Sequence, residues 1–297
     1  MNDLLRIGDL SAVELEGVLA LALELRADPL SHKHAFDGRS LACFLDDPAT
    51  RQHLAVATAA QRLGLLPVML TEREVEGLRA DPTGDTPRVL SAYVAGLVVG
   101  TLTQRALREL VRVVTVPVIN ALSDEEDPIQ ALADLLTLRA HYDALEGLTI
   151  AYVGAADVPV AHSLMQATAR TGIHLRIACS PEHAPIGEIL TATSALAPAH
   201  GGSVELVRDP SEAVTGAQVV YTAASPEPLE DKFRVDTAML RRAGPDAWLM
   251  HPLPAHRGQE VTVAALEGPH SLVLEQAANR LPGVLRFSAR LLAPLPR

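Results

Sequence analysis

The sequence predicts an α/β protein made of two doubly wound parallel sheets, each covered by helices. Short apolar, β-branched runs alternate with segments of helical periodicity along most of the chain. After the long helical stretch from Pro128 to Leu145 the same alternation starts again. The length of 297 residues, 48% hydrophobic and 21% charged, is enough for two medium domains with substantial cores.

The elements follow in order. Ser11 to Ala27 has helical apolar spacing behind a Ser N-cap, with Glu14 in the capping-box position. "SLACFL" reads as a buried strand, "ATRQHLAVATAAQRLG" as a helix ending at Gly64, and "LPVML" as a second strand. "TPRVLSAYV" is helical, "GLVVG" a strand, "QRALRELVRVV" helical and "VPVINA" a strand. In the second half, "LTIAYVG" is a strand running into the helix "VAHSLMQATARTG", and "HLRIACS" is the next strand. "VELVRD", "AQVVYTA" and "AWLMHPL" complete the set. The expected division is 1–135, 136–280 and a segment 281–297 that returns to the first domain. A ligand site is expected in a cleft at the strands' carboxyl ends.

The formal charge of −11, from 36 acidic and 25 basic residues, argues against a nucleic-acid partner. Cys43 and Cys179 are far apart, which excludes a disulfide framework or a Cys-type zinc site and suits a reducing cytoplasm. No apolar run reaches the ~18 residues of a membrane span, and "MNDLLRIGDLS" lacks signal-peptide order. A cytoplasmic protein without a membrane partner is expected.

Five segments could carry chemistry. "FLDDPATRQHLA" leads a polar turn into a helix, with Thr50 and Arg51 where helices hold anions, yet Asp46 and Asp47 stand just before them. "VGAADVP" joins a strand to a helix but has only Gly154 of the three glycines a dinucleotide turn needs, so it reads as an ordinary β–α turn. In "HPLPAHRG" two prolines hold His251 at a strand's carboxyl end, either as a functional group or as a hydrogen-bonded structural one. In "SDEEDPIQALADLLT", Asp127 suits an N-cap, Pro128 the first helical position and Gln130 the third capping-box position. Capping alone could account for that string. "AANRLPG" offers Arg280 as an anion contact or as a plain surface residue.

Together and in order, these segments resemble the aspartate/ornithine carbamoyltransferase family, the ornithine enzymes most closely. "DPIQALADLLT" is similar to that family's H-P-x-Q-x-L-A-D-x-x-T, and "HPLP" to its H-C-L-P and H-P-G-P; "LEQAANR" and "DTPRVLSAYV" extend the likeness. The resemblance implies two α/β domains of the carbamoyltransferase type, commonly assembled as a homotrimer with shared active sites. The first domain would bind carbamoyl phosphate and the second an amino acid, with no metal or organic cofactor. Position by position, it implies His251, Gln130 and Arg280 as catalytic residues. Substrate contacts would fall at Thr50, Arg51, Gln52, His53, Asp127, Asp157 and Leu253.

The kit departs from the family's pattern. The phosphate turn S-T-R-T-R is Ala49-Thr50-Arg51-Gln52-His53 here, a second Arg aligns with Gly100, and the motif His is Asp127. On the amino-acid side, Asp157 falls where paired Asn residues stand. Ala223 takes the place of the ornithine-binding Asp, and Pro252 that of the Cys. "DDPAT" itself reads as Asp47 capping a helix from Pro48. Two functions are therefore open: carbamoyl transfer to an amino acid, most simply ornithine, or a diverged homologue that no longer uses carbamoyl phosphate.

Overall fold

Ser11 opens the first long helix, α1 (Ala12–Ala27): its hydroxyl accepts the Glu14 N–H, and the Glu14 carboxylate accepts the Ser11 N–H at 3.0 Å. The computed structural model describes residues 3–45, 50–71, 74, 84–100 and 102–280. Asp46, Asp47, Pro48 and Ala49, and with them the expected Asp47 cap, lie outside these residues, as does 281–297.

The chain forms two compact units, one running to Ile129 and taking up the chain again at Arg280, the other Gln130–Asn279. The first unit's strands are β1 (Ser40–Leu45), β2 (Leu66–Leu70), β3 (Gly96–Gly100) and β4 (Val118–Asn120). They pair only in parallel, in the order β2-β1-β3-β4. Besides α1, the helices are α2 (Thr50–Arg62), α3 (Asp85–Tyr93) and α4 (Gln104–Leu110). Ala42, Phe44, Leu97, Val99, Leu107 and Val118 pack into one core cluster. The N-terminal chain covers the β4 edge. Leu4 bridges Ile119, and the buried Asn120 amide donates to the Leu5 carbonyl at 2.9 Å. The opposite edge, β2, leaves Leu66, Val68 and Met69 exposed.

The second unit's sheet is also all parallel, ordered β7-β6-β5-β8-β9. Its strands are β5 (Thr149–Val153), β6 (His174–Ala178), β7 (Ser203–Leu206), β8 (Val219–Tyr221) and β9 (Trp248–Met250). Around it lie α5 (Pro128–His141), α6 (Pro159–Thr171), α7 (Gly187–Leu196), α8 (Pro210–Val214), α9 (Thr237–Ala243), α10 (Val263–Leu266) and a last helix, α11, over 273–280. Gly172 ends α6 at φ 73, where a Cβ would come within 2.7 Å of the His200 carbonyl oxygen.

Both sheets thus have the doubly wound parallel form read from the sequence. Two helices are shorter than their periodicity suggested. α4 stops at Leu110 because Val111, Val113 and Val114 lose side-chain freedom in a helix, and the chain continues as turns. α5 stops at His141, where the Arg139 guanidinium donates to the Asp143 carbonyl at 2.9 Å. The unit boundary also differs from the expected residue 135: all of α5 from Gln130 onward belongs to the second unit.

Each sheet reverses its winding once, between β1 and β3 and between β5 and β8. At such a switch point the flanking connections leave in opposite directions and open a crevice at the strands' carboxyl ends. Leu45 pairs with Gly100 at the first, and Gly154 and Thr222 follow the paired strands at the second.

Candidate active site

In the first unit, α2 begins at Thr50 beyond the end of β1, so Thr50, Arg51, Gln52 and His53 form its first turn. The exposed Arg51 guanidinium lies near a second cation. Burial, then the charge of Arg280, lowers its pKa from the ordinary value. Arg280 is held by Asp127: Nη1 donates to Oδ2 at 3.3 Å, with the two side chains only 14% and 9% exposed. Two cations and one carboxylate therefore share this end of the sheet. His53 Nε2 is buried with no hydrogen-bond partner among the described residues, an unused polar atom in the same turn. Gly100 is not in the left-handed region. A Cβ there would lie 2.9 Å from Leu45 Cδ2 and 3.7 Å from Gln52 Oε1, so side chains rather than backbone fill the space.

The second unit holds a buried polar network. Asp134 Oδ1 accepts from Gln130 Nε2 and from Gln276 Nε2, both at 2.7 Å, and its Oδ2 accepts from the Tyr221 hydroxyl at 2.9 Å. Gln276 Oε1 in turn accepts the His251 N–H at 2.8 Å. The His251 ring is 0% exposed and both nitrogens are engaged. The Leu253 N–H donates to Nδ1 at 2.9 Å, which requires that nitrogen to be bare. The proton therefore sits on Nε2 and faces Glu260 Oε1 at 3.0 Å. Neither ring nitrogen is left to polarise a substrate carbonyl. Leu253 has φ 47, the one positive value among the described non-glycine residues, and is joined to Pro254 by a cis peptide bond. A positive φ at a leucine persists only where its surroundings hold it in place.

At the end of β5, Asp157 Oδ2 lies 3.2 Å from His183 Nδ1. Burial, then the Asp157 charge, raises the Cys179 thiol to about 11, so that thiol is neutral at pH 7. Ala223 is buried, and the Thr222 hydroxyl beside it has no partner among the described residues. No cluster of three or more His, Cys, Asp or Glu residues that could hold a metal ion occurs among the described residues.

Known proteins are similar to this chain over nearly its whole length. Residues 2–140 match the carbamoyl-P binding domain of aspartate/ornithine carbamoyltransferase, and residues 146–284 match its Asp/Orn binding domain. The chain belongs to the aspartate/ornithine carbamoyltransferase family. An ornithine carbamoyltransferase of Hyperthermus butylicus is 37% identical over 307 residues, covering 99% of this chain and 98% of its own. One of Acidothermus cellulolyticus is 38% identical over 284 residues, covering 92% and 91%. The crystal structure of ornithine carbamoyltransferase from Gloeobacter violaceus superposes with a TM-score of 0.90 at 35% identity, covering 99% of both chains. The enzyme from Pyrococcus furiosus gives 0.92 at 33%, covering 98% and 96%.

For a carbamoyltransferase-family chain, the residues read from sequence fall into separate groups. Thr50, Arg51, Gln52, His53, Asp127 and Arg280 lie in the first unit, where Asp127 and Arg280 are paired. Gln130, His251, Leu253 and Asp157 lie in the second, where Gln130 and the His251 backbone join one network. Sequence reasoning missed Asp134, Gln276, Tyr221 and Glu260. A signal existed for Asp134: it lies one helical turn after Gln130, a lone charge inside the apolar run from Ala131 to Leu136.

Proposed function

We propose that the protein transfers the carbamoyl group of carbamoyl phosphate to the amino group of an amino acid, most simply the side-chain amine of ornithine, to give citrulline. The observation that carries this reading is the full-length match to proteins named ornithine carbamoyltransferase. In the reaction the uncharged amine attacks the carbamoyl carbon. The C–O bond to phosphate breaks, inorganic phosphate leaves with the electron pair, and the attacking nitrogen loses a proton. No redox partner, metal or organic cofactor enters that balance.

Thr50, Arg51 and the His53 Nε2 would meet the phosphate, and Arg280 would join them on leaving Asp127. Gln130 would contact the carbamoyl group, while Leu253 and Asp157 would meet the amino acid. His251 would hold the turn that presents Leu253 rather than touch substrate. The test is citrulline formation from carbamoyl phosphate and ornithine by the purified protein. Turnover that needs both substrates is expected; none at millimolar concentrations of each would overturn the reading.

A second reading, a homologue that no longer uses carbamoyl phosphate, has one observation in its favour. Asp127 already occupies Arg280, as an internal carboxylate in place of an external anion. Calorimetric titration separates the two: micromolar carbamoyl phosphate binding favours the enzyme, none at millimolar favours the diverged protein.

We further propose a cytoplasmic homotrimer. Among the described residues no helix is long and apolar enough to cross a membrane, and both cysteines are free thiols. Leu54, Leu66, Val89 and Tyr93 expose more than half of their surface on the first unit, an apolar supply for subunit contacts. Light scattering should give three times the 31.6 kDa chain mass; a monomer across micromolar concentrations would refute the trimer.

A further inference from the structure

Two helices of the second unit stop in the same way: Gly244-Pro245 follows α9, and Gly268-Pro269 follows α10 after Glu267. Proline cannot continue a helix, so each chain turns away. Both then enter neighbouring extended positions, where Trp248 opens β9 and Ser271 bridges Leu249. Between the two turned helix ends lies a cavity of about 210 Å³. The buried Leu240, Ala247 and Ala265 give it an apolar lining. Arg241, in the last turn of α9, also lines it, is exposed, and has no ion-pair or hydrogen-bond partner among the described residues. The carboxylates beside the lining residues in the chain are engaged elsewhere. Asp236 accepts the Met239 N–H at 2.7 Å, Glu267 pairs with Arg257 at 3.0 Å, and the charge of the exposed Asp246 acts on Tyr142. His270 completes the wall. Its carbonyl accepts the Leu249 N–H at 2.7 Å and its ring lies 5.6 Å from that of Trp248, which fixes it in place. Its Nδ1 is buried with no partner among the described residues. Such an orphaned nitrogen costs stability and gains from a polar group brought in from outside.

We propose that this cavity binds a small monocarboxylate with a compact apolar body. The carboxylate meets Arg241 and the His270 ring, and the body rests on Leu240, Ala247 and Ala265. One fixed cation beside an apolar lining calls for one negative charge on an otherwise apolar molecule. A cavity of about 150 Å³ holds a benzene ring, so a six-carbon ring with a carboxylate suits this one. The site is separate from the candidate active site. Ala247 precedes β9 at the strand's amino end, whereas His251 follows at its carboxyl end. Four residues at about 3.3 Å each put roughly 13 Å between them. The proposal therefore stands or falls independently of carbamoyl transfer.

The chain supplies its own reporter, since Trp248 is its one tryptophan and touches the His270 ring. The experiment titrates the full-length protein with benzoate and with benzyl alcohol, which match in size and differ in charge, and follows Trp248 emission. Benzoate should give a saturable change and bind at least tenfold more tightly than the alcohol. Arg241→Gln should bring benzoate to within twofold of the alcohol, while Arg241→Lys, which keeps the charge, should stay within about threefold of wild type. His270→Phe keeps a ring against Trp248 and should weaken benzoate at least threefold with the alcohol unchanged. Gly244 lines the cavity in extended backbone, and a Cβ there meets nothing within 4 Å. Gly244→Leu therefore adds bulk without backbone strain and should weaken both probes at least tenfold. No saturable response in wild type, equal affinity for the two probes, or unchanged benzoate binding by Arg241→Gln would each overturn the proposal. Millimolar carbamoyl phosphate should leave the benzoate curve in place; competition would put the probe in the other site and overturn it too. Circular dichroism checks each fold, and should a variant fail to fold, the two wild-type titrations still decide.

Discussion

Replacing Asp127 with Asn is the sharpest test of the anion site, because it removes a charge and little else. Asn serves at a helix N-cap as well as Asp does, so the start of α5 at Pro128 should be unaffected. It also keeps an oxygen that can accept from Arg280. What changes is the ion pair, whose atoms are 3.3 Å apart and mostly covered. Coulomb's law puts a pair at that separation between about 1 and 5 kcal/mol for effective dielectrics of about 80 and 20. That energy opposes any external anion that would use Arg280. Even a share of about 1.4 kcal/mol amounts to tenfold in affinity. Asp127→Asn should therefore bind phosphate and carbamoyl phosphate at least tenfold more tightly by calorimetry, with the gain shrinking as salt is added. Leaving Arg280 without a full counter-charge should cost about 1–3 kcal/mol of stability in denaturant melts. A variant that folds but gains less than twofold would show that Arg280 does not face the anion, and the electrostatic argument would fall.

Other consequences are open to measurement. His251→Ala removes two ring hydrogen bonds and leaves a cavity, so it should lose about 2–4 kcal/mol; unchanged stability with lost turnover would return the ring to a direct role. Glu260 is pushed up by burial, but hydrogen bonds from His251 and from backbone N–H groups outweigh that and hold it below 4.5. Its contribution to stability is thus present above the unfolded-state pKa and lost as pH falls through the folded one. Glu260→Gln should flatten the stability profile below about pH 5, checked by melts across the acid range. Gly100→Ala needs only the tip of Leu45 to move, so a loss of about 1–2 kcal/mol is expected. A loss well beyond that would place the obstacle in the backbone.

Local signals were legible because their physics is local. Ser11 with Glu14 starts α1, Pro128 starts α5 and Gly172 ends α6, each through groups within a few residues of one another. The apolar strand runs and their order sufficed for two parallel sheets, since a buried parallel strand has to be apolar on both faces. The order of retained residues, Thr50-Arg51, Gln130, HPLP and Arg280, was enough to point to the family.

Partnership was not legible. Asp127 read as a cap, and nothing near it in the chain says that Arg280, 153 residues on, pairs with it. Asp134 and Gln276 stand 142 residues apart, and nothing near either in the chain pairs them. His251 could have been a free donor until the fold brought the Leu253 N–H to one nitrogen and Glu260 to the other. The sequence by itself determined which elements form and which polar residues reach the strand ends, because periodicity, capping and turn chemistry act over a few residues. Only the tertiary structure decided which of those groups are spent on one another, because a hydrogen bond needs about 3 Å and a direction, and long-range packing alone sets both.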